Sequence, residues 1–409
     1  MTTKEFQKQL QKLNPEQRRA VETIEGPVMV VAGPGTGKTQ ILSLRIANIL
    51  LKTDSSPENI LALTLTESAA ANMRRRLTNL IGTPGYYVNI HTFHGFCNKL
   101  IREYPENFPF IIGFSNINQI EQIGIIRDII NKSDLKHLHP FGNKYYYAAE
   151  IIKNIRHLKN EGIDPAGFKK LADSPKNLEL ALVYKKYQTE LARQKKYDFE
   201  DMVLETLKAL AKNKEFLMDL REKYQYILVD EHQDTNGAQN KALELLAGED
   251  SRPNLFAVGD EKQAIFRFQG ASLENFLYFK NRFPASKLIE LKQNYRSTQS
   301  ILDAAHSLIE KNTAILALTK LQAQPGRTAL PKKIEIGSFD APESEYLFIT
   351  EKIKKLIKQK ISPGEIAILY RENKDAWPLT DFMIRQNLAT SVESDENILA
   401  DIDIKKLNA

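Results

Sequence analysis

The stretch VMVVAGPGTGKTQIL, residues 28–42, dictates a strand, a tight turn and a helix in immediate succession. Val28, Met29, Val30 and Val31 form a short apolar run suited to a buried central strand. Gly33, Pro34, Gly35 and Gly37 then forbid regular structure and let the backbone turn tightly around an anion. From Lys38 onward, Ile41, Leu42, Leu44, Arg45, Ile46 and Ile49 recur at helical spacing. Loop N–H groups and the positive end of the helix dipole then converge on one point, which makes a phosphate cradle. Ala32, Gly33, Gly35, Thr36 and Gly37 would supply its backbone, with Ala32 where the strict pattern begins with glycine. Lys38 would reach the β- and γ-phosphates, and Thr39 would place a hydroxyl on Mg²⁺. An ordinary glycine-rich turn would not need the strand, loop, Lys-Thr pair and helix to agree.

The length of 409 residues is enough for two or three domains with real cores. A net charge of +6 leans toward an anionic partner, though charge alone separates nucleic acid from a neutral partner only weakly. Cys97 is the only cysteine, which excludes a disulfide framework and a cysteine-rich metal site. His91 and His94 do not read as metal ligands, since no nearby cysteine or acid completes a site. The N-terminal MTTKEFQKQLQKLN is polar and helical, unlike a signal peptide, and no apolar run is long enough to span a bilayer. The expectation is a soluble, cytoplasmic protein with no membrane partner.

Six stretches read as buried strands: 28–32, 60–65, 87–91, 225–230, 254–259 and 287–291. Helical patterns intervene, so the expected fold is α/β, a mostly parallel sheet covered on both faces. Residues 97–195, between the third and fourth strands, are rich in Ile, Lys, Tyr and Asn at helical spacing and read as an inserted helical subdomain. After residue 296 come a helix to about 311, strand-like KKIEIGSF, a helix over 343–359 and strand-like EIAILY. These begin a second α/β domain and do not finish one. The expected division is 1–96 and 196–291 for the two segments of the first domain, 97–195 for the insert and 292–409 for the incomplete second domain.

Other constellations cluster at strand ends. YILVDEHQDT (226–235) places Asp230 where it can hold Mg²⁺ through water and Glu231 where it can polarise an attacking water, although paired acids also cap helices. Gln263 lies just past another buried strand, where an amide could sense the γ-phosphate and pass its state onward. Phe266 and Phe268 alternate with Arg267, suited to stacking bases while neutralising phosphate, or equally to a loop with two core phenylalanines. Gln17, upstream of the glycine loop, could pair with N6 and N7 of adenine, an edge guanine does not offer. In LKQNYRST, Tyr295 could stack on adenine and Arg296 could stabilise charge on a transferring phosphoryl group, or form a surface ion pair. The Arg74-Arg75-Arg76 run fans around a helix and reads best as a solvated face.

Taken in order, these pieces resemble the superfamily 1 DNA helicases of the UvrD, Rep and PcrA type, over essentially the whole chain. AGPGTGKT, LTLTESAAANMRRRL, HTFHGF, YDFEDMV, VDEHQDT, VGDEKQAIFRFQGA and QNYRS resemble successive motifs of that family. The resemblance implies a P-loop NTPase of RecA-like fold, with a partial second RecA-like domain. It also implies ATP-driven 3′-to-5′ translocation along single-stranded DNA, acting at duplex/single-strand junctions in repair or replication. By position, Lys38, Thr39 and Asp230 would bind phosphate and Mg²⁺, Glu231 would activate water, and Gln263 would sense the γ-phosphate. Tyr295 would stack on adenine, and Arg296 would act as an arginine finger. Thr64, Thr66, Thr92, Phe93, His94, Phe266 and Phe268 fall at DNA-contact positions.

The departures are specific. Where the family usually has Thr-Phe-Thr-Asn-Lys, this chain has Thr64-Leu65-Thr66-Glu67-Ser68, lacking an aromatic stack and a cation and adding a charge that repels phosphate. Gln269 replaces a usual arginine, and His232 a common phenylalanine. No counterpart of motifs V and VI is found, so the chain reads as the N-terminal part of a helicase or as a short relative. Rival readings are the motor of a helicase–nuclease and an ATP-gated DNA-binding module that never translocates. A GTPase is disfavoured, because Asn-Lys-x-Asp is absent and ENKDAW is one residue out of pattern.

Overall fold

The computed structural model describes residues 3–138, 140, 142–248, 252–263, 274–311, 320–325 and 334–392. The six expected strands all form: β1 (Val28–Ala32), β2 (Ile60–Thr64), β3 (Asn89–Thr92), β4 (Tyr226–Val229), β5 (Leu255–Gly259) and β6 (Lys287–Leu291). They pair in parallel in the spatial order β3-β2-β4-β5-β1-β6. Val30 lies opposite Val258 and Ile289, and Leu61 opposite Ile227 and Asn89. Alternation divides each strand between two cores. Val28, Val30, Ala62, Leu228 and Phe256 face one; Met29, Leu61, Leu63, Val229 and Ala257 face the other. A strand buried on both faces must be apolar throughout, which is why these segments read as unbroken runs.

Helices Pro15–Glu22, Lys38–Lys52 and Glu67–Ile81 cover the first face. Helices Phe93–Glu103, Phe199–Lys212, Lys214–Lys223 and Gly237–Ala247 cover the second. Arg45 stands in the first core, 2% exposed. Its guanidinium donates to the Ala20, Thr23 and Ile24 carbonyls and lies over the Phe256 ring. The Pro15–Glu22 helix is thereby capped at its C-terminal end by the helix that follows the glycine loop. Burial pushes the guanidinium pKa down to about 9. Arg45→Met would strand three buried carbonyls, and urea unfolding should show a loss of about 2–4 kcal/mol.

One of the three consecutive arginines departs from the expected solvated face. Arg74 donates to the carbonyls of Tyr86, Val88 and Ile90 at 2.9, 3.1 and 2.9 Å. β3 is an edge strand, and the outward carbonyls of Ile90 and of the segment leading into it would otherwise wait for a partner. A guanidinium fork satisfies them from the neighbouring helix.

The insert has its own core, in which Ile126, Ile130, Ile151, Ile155, Val183, Tyr184 and Tyr187 meet. Cys97, Leu100 and Ile101 pack against the sheet, and the insert's core begins at Ile117, because the Phe93–Glu103 helix spends its apolar face on the sheet. A two-residue parallel ladder, Ser115–Asn116 with Lys196–Tyr197, ties the insert's entry to its exit. Beside it, Lys159 is wholly buried and donates to Asp198 at 2.5 Å and to Asp201 at 2.7 Å. Both acids belong to the capping box that starts the Phe199–Lys212 helix.

The chain divides into two compact units, Met1–Pro331 and Lys332–Ala409. In the second, helices Pro342–Lys358 and Asn373–Arg385 pack through Ile353, Leu379 and Met383. Neither the described part of KKIEIGSF nor EIAILY enters a sheet. A strand exists only with a neighbour to share its hydrogen bonds, and among the described residues these segments have none. No described helix is long and apolar enough to cross a membrane.

Candidate functional site

The chemistry-bearing residues gather at the carboxyl ends of the parallel strands, where open α/β sheets leave a crevice. β1 runs into Gly33 and the loop, and Gly37 caps the Lys38–Lys52 helix at φ 93°. Gly35 is also left-handed at φ 75°, and a Cβ there would sit 2.6 Å from the Arg296 Cβ. Glycine is therefore required twice, once for the turn and once for close approach. Thr36 is buried and its hydroxyl donates to the Gly33 carbonyl at 2.7 Å, bracing the loop from inside. The first N–H groups of the helix have no intrahelical acceptor, which leaves donors aimed outward.

Lys38 and Glu231 meet across this cradle, Nζ to Oε2 at 2.7 Å. Glu231 reaches Lys38 from a left-handed backbone at φ 48°, a conformation that costs a non-glycine residue about 1–3 kcal/mol. Asp230 is 5% exposed; its N–H extends the ladder to the Leu63 carbonyl, and Oδ1 accepts from the Glu231 N–H. Burial, followed by the charge of Glu231, pushes the Asp230 carboxyl up to about 7. Burial likewise raises Asp234 to about 6. These residues suit a magnesium ion. Thr39 and Asp230 offer a hydroxyl and a carboxylate, the hard oxygens Mg²⁺ takes alongside water and phosphate. A cation would also relieve the buried Asp230 charge.

Beyond β5, Gln263 Nε2 donates to Asp260 Oδ2 at 2.7 Å, and its backbone N–H to the Asp260 carbonyl. On the other side, Tyr295 N–H donates to the Gly35 carbonyl at 2.8 Å. The Tyr295 hydroxyl lies 3.5 Å from Gln17 Oε1 and donates to Gln293 Oε1 at 2.9 Å. Gln17 and Tyr295, far apart in sequence, are thus brought together. The Gln17 amide is committed here: Nε2 donates to the Thr36 carbonyl at 2.8 Å, and Oε1 closes a capping box with Asn14. Sequence reasoning missed Asn294. Its side chain donates to the Pro34 carbonyl and accepts from the N–H groups of Arg296 and Ser297, fixing the QNYRS turn on the glycine loop. Its only sequence signal is its place inside that motif.

The candidate DNA positions form a second group. Thr64 and Thr92 are register partners at the ends of β2 and β3. Thr64 Oγ1 is buried with no hydrogen-bond partner among the described residues. Thr66 caps the Glu67–Ile81 helix through Ala69 N–H. Thr92 caps the Phe93–Glu103 helix through Gly95 N–H and donates to Glu67 Oε1 at 2.8 Å. Glu67, which the sequence marks as repelling phosphate, is in use holding that threonine. Phe93 is buried and its ring belongs to the core. His94 is stacked on Phe199, centroids 3.8 Å apart, and burial lowers its pKa to about 4, so the ring is neutral at pH 7. Phe199 is 49% exposed, and its only sequence signal is its place in YDFEDMV. Phe266 and Phe268 lie outside the described residues. No group of three or more His, Cys, Asp or Glu side chains among the described residues could hold a metal by itself.

Two family models and a set of curated relatives match this chain. The family model for the UvrD/REP helicase N-terminal domain matches residues 13–284, and that for the UvrD-like helicase C-terminal domain matches residues 289–409. The ATP-dependent DNA helicase PcrA of Staphylococcus epidermidis is 33% identical over 395 residues, 97% of this chain and 52% of that protein. PcrA of Staphylococcus aureus is 33% identical over 398 residues, 97% of this chain and 53% of its own length. The chain spans about half the length of the curated relatives it matches. It belongs to the UvrD/REP helicase family, whose domains are RecA-like P-loop folds.

Proposed function

We propose that this member of the family is an ATP-driven DNA motor, hydrolysing ATP at the glycine loop and stepping 3′-to-5′ along single-stranded DNA. Its setting would be cytoplasmic, at duplex/single-strand junctions arising in repair or replication. The observation that carries the reading is the Lys38–Glu231 pair set across a glycine cradle, with Gln263 and the threonine pair on the same sheet edge.

A bound triphosphate competes with Glu231 for the Lys38 ammonium. When Lys38 turns to phosphate, the Glu231 carboxylate is released to accept a proton from an attacking water. A magnesium ion held by Thr39 and Asp230 would neutralise charge on the phosphates. Gln263 Nε2 spends one of its two N–H donors on Asp260, and the other can meet a γ-phosphate, so nucleotide state is felt where the chain leaves β5. Tyr295 beside Gln17 offers a face for adenine, and Arg296 extends from a turn pinned on the glycine loop. Two DNA grips then move relative to each other as the cleft closes and reopens. Base stacking is worth about 1–3 kcal/mol per base, so exchanging one stacked base for its neighbour is nearly balanced and nucleotide state can bias the direction. The division at 292, with the second RecA-like domain carrying Arg296, belongs to the same proposal.

Direction has a clean test. With streptavidin on one end of a single strand, ATP should drive its displacement from the 5′ end and leave the 3′ end bound. Displacement from the 3′ end would reverse the proposed polarity. Nucleotide-dependent DNA affinity with neither end displaced would identify an ATP-gated binding module.

A further inference from the structure

We propose that Gln233 is a positioning residue that joins the base Glu231 to the sensor Gln263 through Asp260. The proposal rests on the roles given above to Glu231 and Gln263.

Gln233 is 1% exposed, in the short turn that follows β4. Its amide nitrogen donates to Glu231 Oε2 at 2.8 Å and to Asp234 Oδ2 at 3.2 Å. Its amide oxygen accepts the Asp260 N–H at 2.9 Å. The orientation is forced, since a flipped amide would set its NH₂ against an N–H and its oxygen against two carboxylates. Asp260, itself 2% exposed, then accepts from Gln263 with both its side chain and its carbonyl. A continuous line therefore runs Lys38–Glu231–Gln233–Asp260–Gln263, from the loop of β1 through the end of β4 to the end of β5.

Two features show that the line is built rather than incidental. Glu231 Oε2 receives both Lys38 and Gln233, so when Lys38 leaves for phosphate the carboxylate is still held by an uncharged donor. It keeps its aim without keeping its counter-ion. A Cβ on Gly259 would lie 2.4 Å from Gln233 Oε1 and 3.2 Å from the Gln233 backbone nitrogen, so only glycine admits the amide at that strand end. A solvated surface glutamine would need no such space. The consequence is that the geometry of the base and the state of the sensor are not independent. A movement of Gln263 toward phosphate that shifts Asp260 would reach Glu231 through one amide.

Gln233→Met keeps size and removes both hydrogen-bonding ends. Its kcat for ATP hydrolysis, basal and DNA-stimulated, should fall about 10- to 100-fold, while the Kd for a non-hydrolysable ATP analogue stays within about threefold. A residue that only supports the fold would move binding and turnover together. The double variant with Gln263→Ala should be no slower than the slower single variant, because both cut one line. Effects that multiply would overturn the proposal. Gln233→Glu, which keeps an acceptor for Asp260 N–H but faces Glu231 with a like charge, is the second variant should Gln233→Met not fold. It should lose at least as much kcat, and turnover equal to the unsubstituted protein would overturn the proposal. Glu231→Gln separates the two failures. If it abolishes turnover while Gln233 variants do not, only the line is wrong. If the unsubstituted protein hydrolyses no ATP, both readings fall.

Discussion

Glu231→Gln lowers steady-state ATP hydrolysis by about 10²–10⁴-fold, the range that removal of a general base commands, and leaves nucleotide bound at least as tightly. The substitution preserves shape. A glutamine oxygen can still accept from Lys38 and from Gln233, both of which address Oε2. What it cannot do is take a proton. Binding should not weaken, because Lys38 must leave its partner to meet phosphate, and a neutral amide holds it less firmly than a carboxylate. ATP affinity measured by fluorescence with a labelled analogue, beside turnover by phosphate release, separates the two effects. Turnover within threefold of the unsubstituted protein would remove Glu231 from the chemistry.

Lys159→Met is expected to have the largest effect on stability, about 3–5 kcal/mol by reversible urea unfolding. Lys159 is the counter-ion for Asp198 and Asp201, and all three are buried where the insert meets the Phe199–Lys212 helix. Burial already pushes Asp198 up to about 7 with the lysine in place. Removing the ammonium leaves two carboxyls desolvated and mutually repelling, each with its folded pKa above its unfolded one. The penalty is therefore small where both states are protonated and grows as pH rises through the folded pKa values. The variant should lose less stability at pH 5 than at pH 8. Adding Asp198→Asn and Asp201→Asn should recover part of the loss, since asparagine still caps a helix and no buried charge remains. A single variant as stable as the parent at pH 8 would show the triad to be dispensable.

How far the sequence carried this account depends on the range of the interaction. Strands buried on both faces announce themselves as contiguous apolar runs, so β1 to β6 were legible within a few residues. The glycine loop was legible because its turn, its donors and its lysine lie within one short segment. Asn294 and Gln233 were not, although each sits inside a quoted motif. Their importance lies in partners 260 and 27 residues away, which no spacing rule contains. In sequence Arg45 is one more position on an apolar helix, and nothing local signals that it caps a different helix. The sequence offers Gln17 for the adenine edge it could match. The structure adds that its amide braces Thr36, so adenine recognition at this residue requires an exchange of hydrogen bonds. In the second unit, KKIEIGSF and EIAILY carry strand-like composition, but composition supplies no neighbour.

The most direct measurement is ATP hydrolysis by this chain with and without single-stranded DNA, with Glu231→Gln as the inactive control. The account predicts low turnover alone, strong stimulation by single-stranded DNA, and loss of both in the control. ATP binding with no stimulation by DNA at any concentration would contradict it, because the line from Lys38 to Gln263 would then connect the nucleotide to nothing that DNA can change.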